Sequence, residues 1–194
     1  MKGNRNLLML QPSPYVIQVI GFCEEPPNST VLTESCEKCA DLNKILKRGQ
    51  RSSSKRYSGQ QRFEWATKIV GAFDYLHHGL GLPRLHCDLH FLPQAFNQFI
   101  VTKDHSLFMS DVDEIPQVDK KNGEYATCHR EIGGIMKQPH FIPPEQRYTA
   151  KEYKNKEPCK PVDEKSDIWK IPDITRKLME GSKMKELYCV LYAF

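Results

Sequence analysis

Arg84-Leu85-His86-Cys87-Asp88, then Gln98-Phe99-Ile100-Val101, then Ser106-Leu107-Phe108-Met109-Ser110-Asp111 are the pieces whose reading decides the fold. Each is a short run of apolar and β-branched residues bounded by turn formers, the pattern of a small strand. A Pro-containing loop separates the first two and the turn Lys103-Asp104-His105 the last two. Two of the three pieces end on an Asp, which sets two carboxylates at the ends of apolar segments.

Working outward, Phe63, Ala66, Ile69, Val70, Phe73 and Leu76 mark one face of a helix of about sixteen residues that runs out at His77-His78-Gly79. Before it, Tyr15 to Phe22 and Thr30 to Glu34 flank the turn Glu25-Pro26-Pro27-Asn28 and read as a β-hairpin. Leu42, Ile45 and Leu46 suggest a short helix from Asp41, and Arg48 to Gln61, basic and with three consecutive serines, reads as a flexible loop. On the far side, Gln117 to Gln138 is a long polar stretch, and Arg147 to Ser166, dense in Lys, Glu and Pro, reads as exposed loop. Asp167-Ile168-Trp169 opens a last helical region that continues through Leu178 and Met179 and resumes near Met184 to Phe194.

Composition bounds the function classes. The chain has 194 residues, 28 Lys+Arg against 24 Asp+Glu, a net charge of +4, and a mean hydropathy of −0.58. Enough apolar material remains for a core, which excludes wholesale disorder, and the small charge excess argues against nucleic acid as a partner. No apolar run is long enough to cross a membrane, and Met1 to Pro12 is too short in apolar character for a signal sequence, so the chain as written reads as soluble. Seven cysteines are an odd number, which leaves the redox compartment open on counting alone. Cys36-x-x-Cys39 has no second pair or His tract at zinc spacing. Asn28-Ser29-Thr30 is a glycosylation sequon if the chain enters the secretory pathway.

Hairpin, long helix, His-x-Asp, strand pair, second Asp, Pro-Pro-Glu and Asp-x-Trp follow one another as in the middle of a protein kinase. His86-Cys87-Asp88 stands for H-R-D, Ser110-Asp111-Val112-Asp113 for the metal Asp of D-F-G, and Pro143-Pro144-Glu145 for A-P-E. With Cys128-His129-Arg130-Glu131 and Glu164-Lys165-Ser166-Asp167-Ile168-Trp169-Lys170-Ile171-Pro172-Asp173 added, the chain resembles the protein O-mannose kinase family from about Pro14 to Met184. The resemblance implies an α+β, protein-kinase-like fold with a partial small lobe (β-hairpin and hinge) and the first part of a helical large lobe. Residues 1–40 are then the small-lobe remnant and hinge, and 41–194 a C-terminally incomplete large lobe.

It also implies an ATP-dependent phosphotransferase that uses Mg²⁺ or Mn²⁺ to phosphorylate the 6-hydroxyl of O-linked mannose in a glycan of the α-dystroglycan type. The family's setting is the endoplasmic reticulum, with a membrane anchor and a lumenal kinase domain. Asp88 takes the role of catalytic base, Asp111 that of metal ligand, and Gln98, or failing that Asn97, that of the amide oxygen on a second metal. Glu34, Ser35 and Cys36 fall at the hinge that lines the adenine pocket. His86 is expected to brace the loop, Glu145 to form an ion pair, and Asp167 to cap backbone amides at the start of a helix. From the residues alone, a turn-capping Asp88 and a strand-end cap at Asp111 are the alternative readings.

The pattern also departs from its type. Gln98 stands ten residues after Asp88, where the kinase motif has its Asn at five. The family carries a second acidic residue three positions after its Cys-Asp, and that position here is Phe91. No G-x-G-x-x-G occurs anywhere in the chain. The sequence therefore reads as an incomplete product of a longer gene, of little activity by itself and poor solubility, with a catalytically dead, kinase-like binding module for a glycan or protein as the alternative.

Overall fold

The computed structural model describes residues 2–25, 28–34, 39–51, 57–128 and 140–180. The core is organised on helix α3 (Gly59–His78), whose N-terminus is closed by Ser58: its side-chain oxygen accepts from the Gln61 amide at 3.1 Å. One face of α3 buries Trp65, Ala66, Ile69, Ala72, Phe73 and Leu76. Helix α6 (Lys165–Met179) packs along it through Ile174, Leu178 and Met179. Arg62 of α3 donates to the Leu178 carbonyl at 2.8 Å and so satisfies one of the open carbonyls at the end of α6.

Between Leu76 and α6 lies the segment with the candidate acids. Helix α4 (Leu92–Asn97) is followed by strands β4 (Phe99–Val101) and β5 (Leu107–Met109), which with β3 (Ala40–Asp41) form an antiparallel sheet in the order β3-β4-β5. Phe99, Val101, Leu107 and Met109 point into the core, an alternation set by the pleat. Helix α2 (Leu42–Arg51) follows β3 directly and buries Leu42, Ile45 and Leu46. Tyr15 and Ile17 bond the backbone of Met109, which fastens the chain before the hairpin to β5.

The hairpin is shifted from the expected register. Strands β1 (Val19–Glu25) and β2 (Asn28–Thr33) pair antiparallel, while Val16 belongs instead to the edge of β5. Asn28 opens β2 opposite Glu25. Ile20, Phe22 and Leu32 of this hairpin are exposed. Helix α1 (Lys2–Met9) was not expected from the sequence; its Asn6 donates to the Val112 carbonyl at 2.6 Å, and Leu10 behind it is fully buried.

Other expectations are revised by tertiary pairing. Residues 84–88 form no named strand: Leu85 and Cys87 donate to the carbonyls of Pro116 and Glu114, so the segment before Asp88 pairs with the chain that follows Asp111. The loop expected over 48–61 is shortened from both sides, by α2 reaching Arg51 and α3 beginning at Gly59. The segment 147–166 contains helix α5 (Ala150–Lys154), closed by a reciprocal Thr149/Glu152 capping box, and strand β7 (Pro161–Val162), which pairs with β6 (Ala126–Thr127). The expected helix over 184–194 and part of the polar stretch 117–138 lie outside the described residues. A second, small apolar cluster of Leu85, Cys87, Val118, Ala126, Cys128 and Val162 sits beside the main core.

Leu76→Ala removes a fully buried side chain where α3 meets the core and is expected to cost about 2–5 kcal/mol. A urea titration checks it: the midpoint falls and the slope stays constant.

Candidate active site

The site is built around Asp167, which is wholly buried in the first turn of α6. Its Oδ2 accepts from the His86 backbone amide at 2.9 Å and from His77 Nε2 at 3.2 Å. The sequence places Asp167 as a cap for its own helix; the structure corrects this, because the amide it holds belongs to the loop before Asp88. Among the described residues its Oδ1 has no hydrogen-bond partner, and α6 has no side-chain cap at Glu164.

His86 is also fully buried. Its Nε2 lies 3.0 Å from the Asp111 carbonyl oxygen, an atom that only accepts, so the proton sits on Nε2. Burial, acting against the neighbouring Asp167 carboxylate, holds the ring below the ordinary His range and so in its neutral form. The imidazole thereby joins the loop of Asp88 to the loop of Asp111.

Gln98 makes the second link. Its backbone carbonyl accepts from the amides of Ser110 at 2.9 Å and Asp111 at 3.4 Å, and its Nε2 donates to the Asp88 carbonyl at 3.2 Å and to Asp88 Oδ2 at 3.3 Å. The residue is buried, and its Oε1 has no hydrogen-bond partner among the described residues. An unpartnered amide oxygen buried between two carboxylate-bearing loops suits a cation.

The two acids are held differently. Asp88 Oδ1 takes Gln94 Nε2 at 2.6 Å and His90 Nε2 at 3.1 Å, and the His90 ring draws the Asp88 carboxyl below its usual value against the opposing effect of partial burial. Asp111 is pushed above its usual value, first by burial, with the charges of Asp113 and Asp88 adding to it. A carboxylate that pays for partial burial and carboxylate neighbours without a cation is the arrangement a divalent metal relieves. Among the described residues no three His, Cys, Asp or Glu side chains converge as a self-sufficient metal cage.

The remaining candidates are placed as follows. Asn97 is exposed and its Oδ1 accepts from Asn43 on α2 at 3.0 Å, so of the two amides it is Gln98 that bonds Asp88. Glu145 accepts from Ser166 Oγ at 3.2 Å; among the described residues this hydroxyl takes the place of the expected ion pair. Glu34 is exposed, its amide bonded to the Gln18 carbonyl, while Ser35 and Cys36 lie outside the described residues. Cys39 is disulfide-bonded, which rules it out as a zinc ligand. Sequence reasoning missed His90, Gln94 and the Cys87–Cys128 disulfide; the first two are signalled only by their spacing from Asp88, and the last by nothing local.

No protein-family model matches the chain. Protein O-mannose kinase of Homo sapiens is 33% identical over 194 residues, and that of Macaca fascicularis 32% over 192, each alignment covering 95% of this chain and 52% of the relative. The Gallus gallus protein of the same name is 31% identical over 97% of this chain. The chain thus spans about half the length of the curated relatives it matches. Among solved structures, a chain of the CAK complex of Chaetomium thermophilum bound to ATP-γ-S superposes with a TM-score of 0.63 at 18% identity, over 91% of this chain and 46% of that one. The fold is therefore that of a protein kinase.

Two predictions come from the site. Asp167→Asn keeps the shape but removes the charge from both hydrogen bonds, and is expected to cost about 1.5–3 kcal/mol in urea unfolding. Because the folded Asp88 carboxyl lies below its usual value, its contribution to stability is present above the unfolded value of 3.8 and is lost as pH falls through the folded one. His90→Ala is expected to move the Asp88 titration, followed by carboxyl ¹³C shifts, back toward that value and to flatten this acid limb. Asp111, with its folded value raised, contributes in the opposite sense: its share is present below 3.8 and lost as pH rises through the folded value.

Proposed function

The chain is similar to protein O-mannose kinase along 95% of its length and has a protein-kinase fold, and on that premise we propose that it carries the acceptor- and metal-binding half of an ATP-dependent phosphotransferase. The acceptor is the 6-hydroxyl of an O-linked mannose on a dystroglycan-type glycoprotein. The observation that carries this reading is the bridge from Asp88 through Gln98 to Asp111, with Gln98 Oε1 left open between them.

Phosphoryl transfer asks a protein mainly for positioning and for neutralisation of phosphate charge. A divalent cation, when bound, supplies that neutralisation. Asp111 and Gln98 Oε1 are the protein ligands that would hold it. Asp88 orients the acceptor hydroxyl and takes its proton, and the donors His90, Gln94 and Gln98 fix the direction of its carboxylate. That three donors hold Asp88 lowers its basicity, so its larger contribution is to orientation. The CAK chain of the same fold, solved with ATP-γ-S, supports ATP as the donor. Two buried cysteines joined as a disulfide support an oxidising compartment such as the lumen of the endoplasmic reticulum. Residues 1–40 are assigned to the small lobe and hinge and the rest to the large lobe. Phe91, at the position of the family's second acid, favours a second reading: a kinase-like module that binds the glycan without transferring phosphate.

The test uses the complete gene product with an O-mannosyl glycopeptide, Mg²⁺ and ATP. Phosphate on the mannose, seen by mass spectrometry and reduced about 10²-fold or more by Asp111→Asn, is the expected result. A folded protein that binds the glycopeptide but leaves it unmodified, with binding unchanged in Asp111→Asn, selects the binding module instead.

A further inference from the structure

Cys87 occupies the place of the Arg in the kinase H-R-D motif, and it is bonded to Cys128 across 41 residues of chain. Protein kinases order the segment after the metal Asp by pairing arginine side chains with a phosphorylated residue of that segment. Here an arginine is absent from the motif, and a covalent bond runs from the same position to the same segment. Both sulfurs are buried in the small cluster with Leu85, Val118, Ala126 and Val162. Asp88, Asn97, Gln98 and Asp111 all lie inside the covalent ring so closed.

Within the ring's second half Glu114 and Pro116 accept from the Cys87 and Leu85 amides, and Gln117 from Arg84, while the noncovalent anchors beyond Gln117 are slight. Val118 donates to the Pro83 carbonyl at 2.8 Å, Lys120 pairs with Glu164 and Asp163 on a half-exposed surface, and β6 offers only two residues to β7. Surface ion pairs and a two-residue strand pair hold a segment weakly. The disulfide adds a fixed point at Cys128, one residue past β6, and ties it directly to the residue before Asp88.

We propose that the Cys87–Cys128 disulfide is a positioning clamp: it orders residues 117–128 against the catalytic loop and so sets the geometry of Asp88 and Gln98 without any phosphorylation of that segment. The functional sense of this rests on the kinase reading; the clamp itself does not. It makes the pair a requirement for site geometry rather than a general staple, and it makes order in the segment indifferent to phosphatases.

The experiment compares four forms of the full chain: oxidised, oxidised and phosphatase-treated, reduced by a dithiol, and reduced then re-bridged with a one-carbon dihalide that joins the two thiols through a methylene group. Amide hydrogen exchange is followed at residues 117–128, at Cys87 and along α3, together with the side-chain amide resonance of Gln98, which reports its bond to Asp88. Expected on reduction are exchange at least tenfold faster at 117–128 and Cys87, a shifted Gln98 resonance, and unchanged protection at Ile69, Phe73 and Leu76. Re-bridging restores the oxidised pattern, and phosphatase treatment leaves it unaltered. Exchange that is unchanged on reduction overturns the clamp, as does loss of protection spread evenly into α3, or release of the segment by phosphatase with the disulfide intact. None of these readouts depends on phosphate transfer, so an inactive protein leaves the clamp standing and a failed clamp leaves the kinase reading standing.

Discussion

One buried carboxylate oxygen, Asp167 Oδ2, brings the end of α3, the loop before Asp88 and the head of α6 to a single point through His77 Nε2 and the His86 amide. A charge removed from water must be met by donors, or the interior cannot hold it. The contact therefore couples helix packing to the loop, because a carboxylate held in α6 is met by the imidazole of α3 and by the loop's amide. His86, held at its amide by Asp167, spends its ring proton on the Asp111 carbonyl. In this way the order of the helical core reaches the second acid through one residue.

Gln98 repeats the device with main chain and side chain together. Its carbonyl holds the start of the Asp111 loop while its amide group holds Asp88. The two acids are thus linked through one glutamine, whose place is fixed by the pairing of β4, which it precedes, with β5. The extra residues between Asp88 and Gln98 are taken up by α4, whose buried Leu92, Ala95 and Phe96 return the chain to the core. A longer catalytic loop is compatible with a kinase arrangement because the insertion is helical and packed.

Much of this was legible in the sequence. The periodicity from Phe63 to Leu76 marks α3 because a helix buried on one face must repeat its apolar residues every three to four positions. The order of His-x-Asp, Asp, Pro-Pro-Glu and Asp-x-Trp marks the kinase layout because each element carries its own chemistry. What was not legible depends on contacts between distant residues. The Tyr15–Ile17 run was β-like, but nothing local says that it bonds to Met109 and not to its own hairpin. Asp167 looks like a helix cap because Asp before a helical run usually is one, and its partner stands 81 positions earlier. Helix α1 is polar over much of its length, and its docking through Asn6 to the Val112 carbonyl leaves no signature in either segment.

The ring closed by Cys87 and Cys128 also has a direction in time. Chains emerge from the ribosome N-terminus first, so Asp88, Gln98 and Asp111 are all made before the thiol that encloses them exists. Until then the only other cysteines in the chain are Cys23, Cys36 and Cys39. Fidelity of the site thus belongs partly to biosynthesis: a Cys87 kept reduced, or folded into its apolar cluster, through the span of translation that ends at Cys128 is a precondition for the right covalent bond.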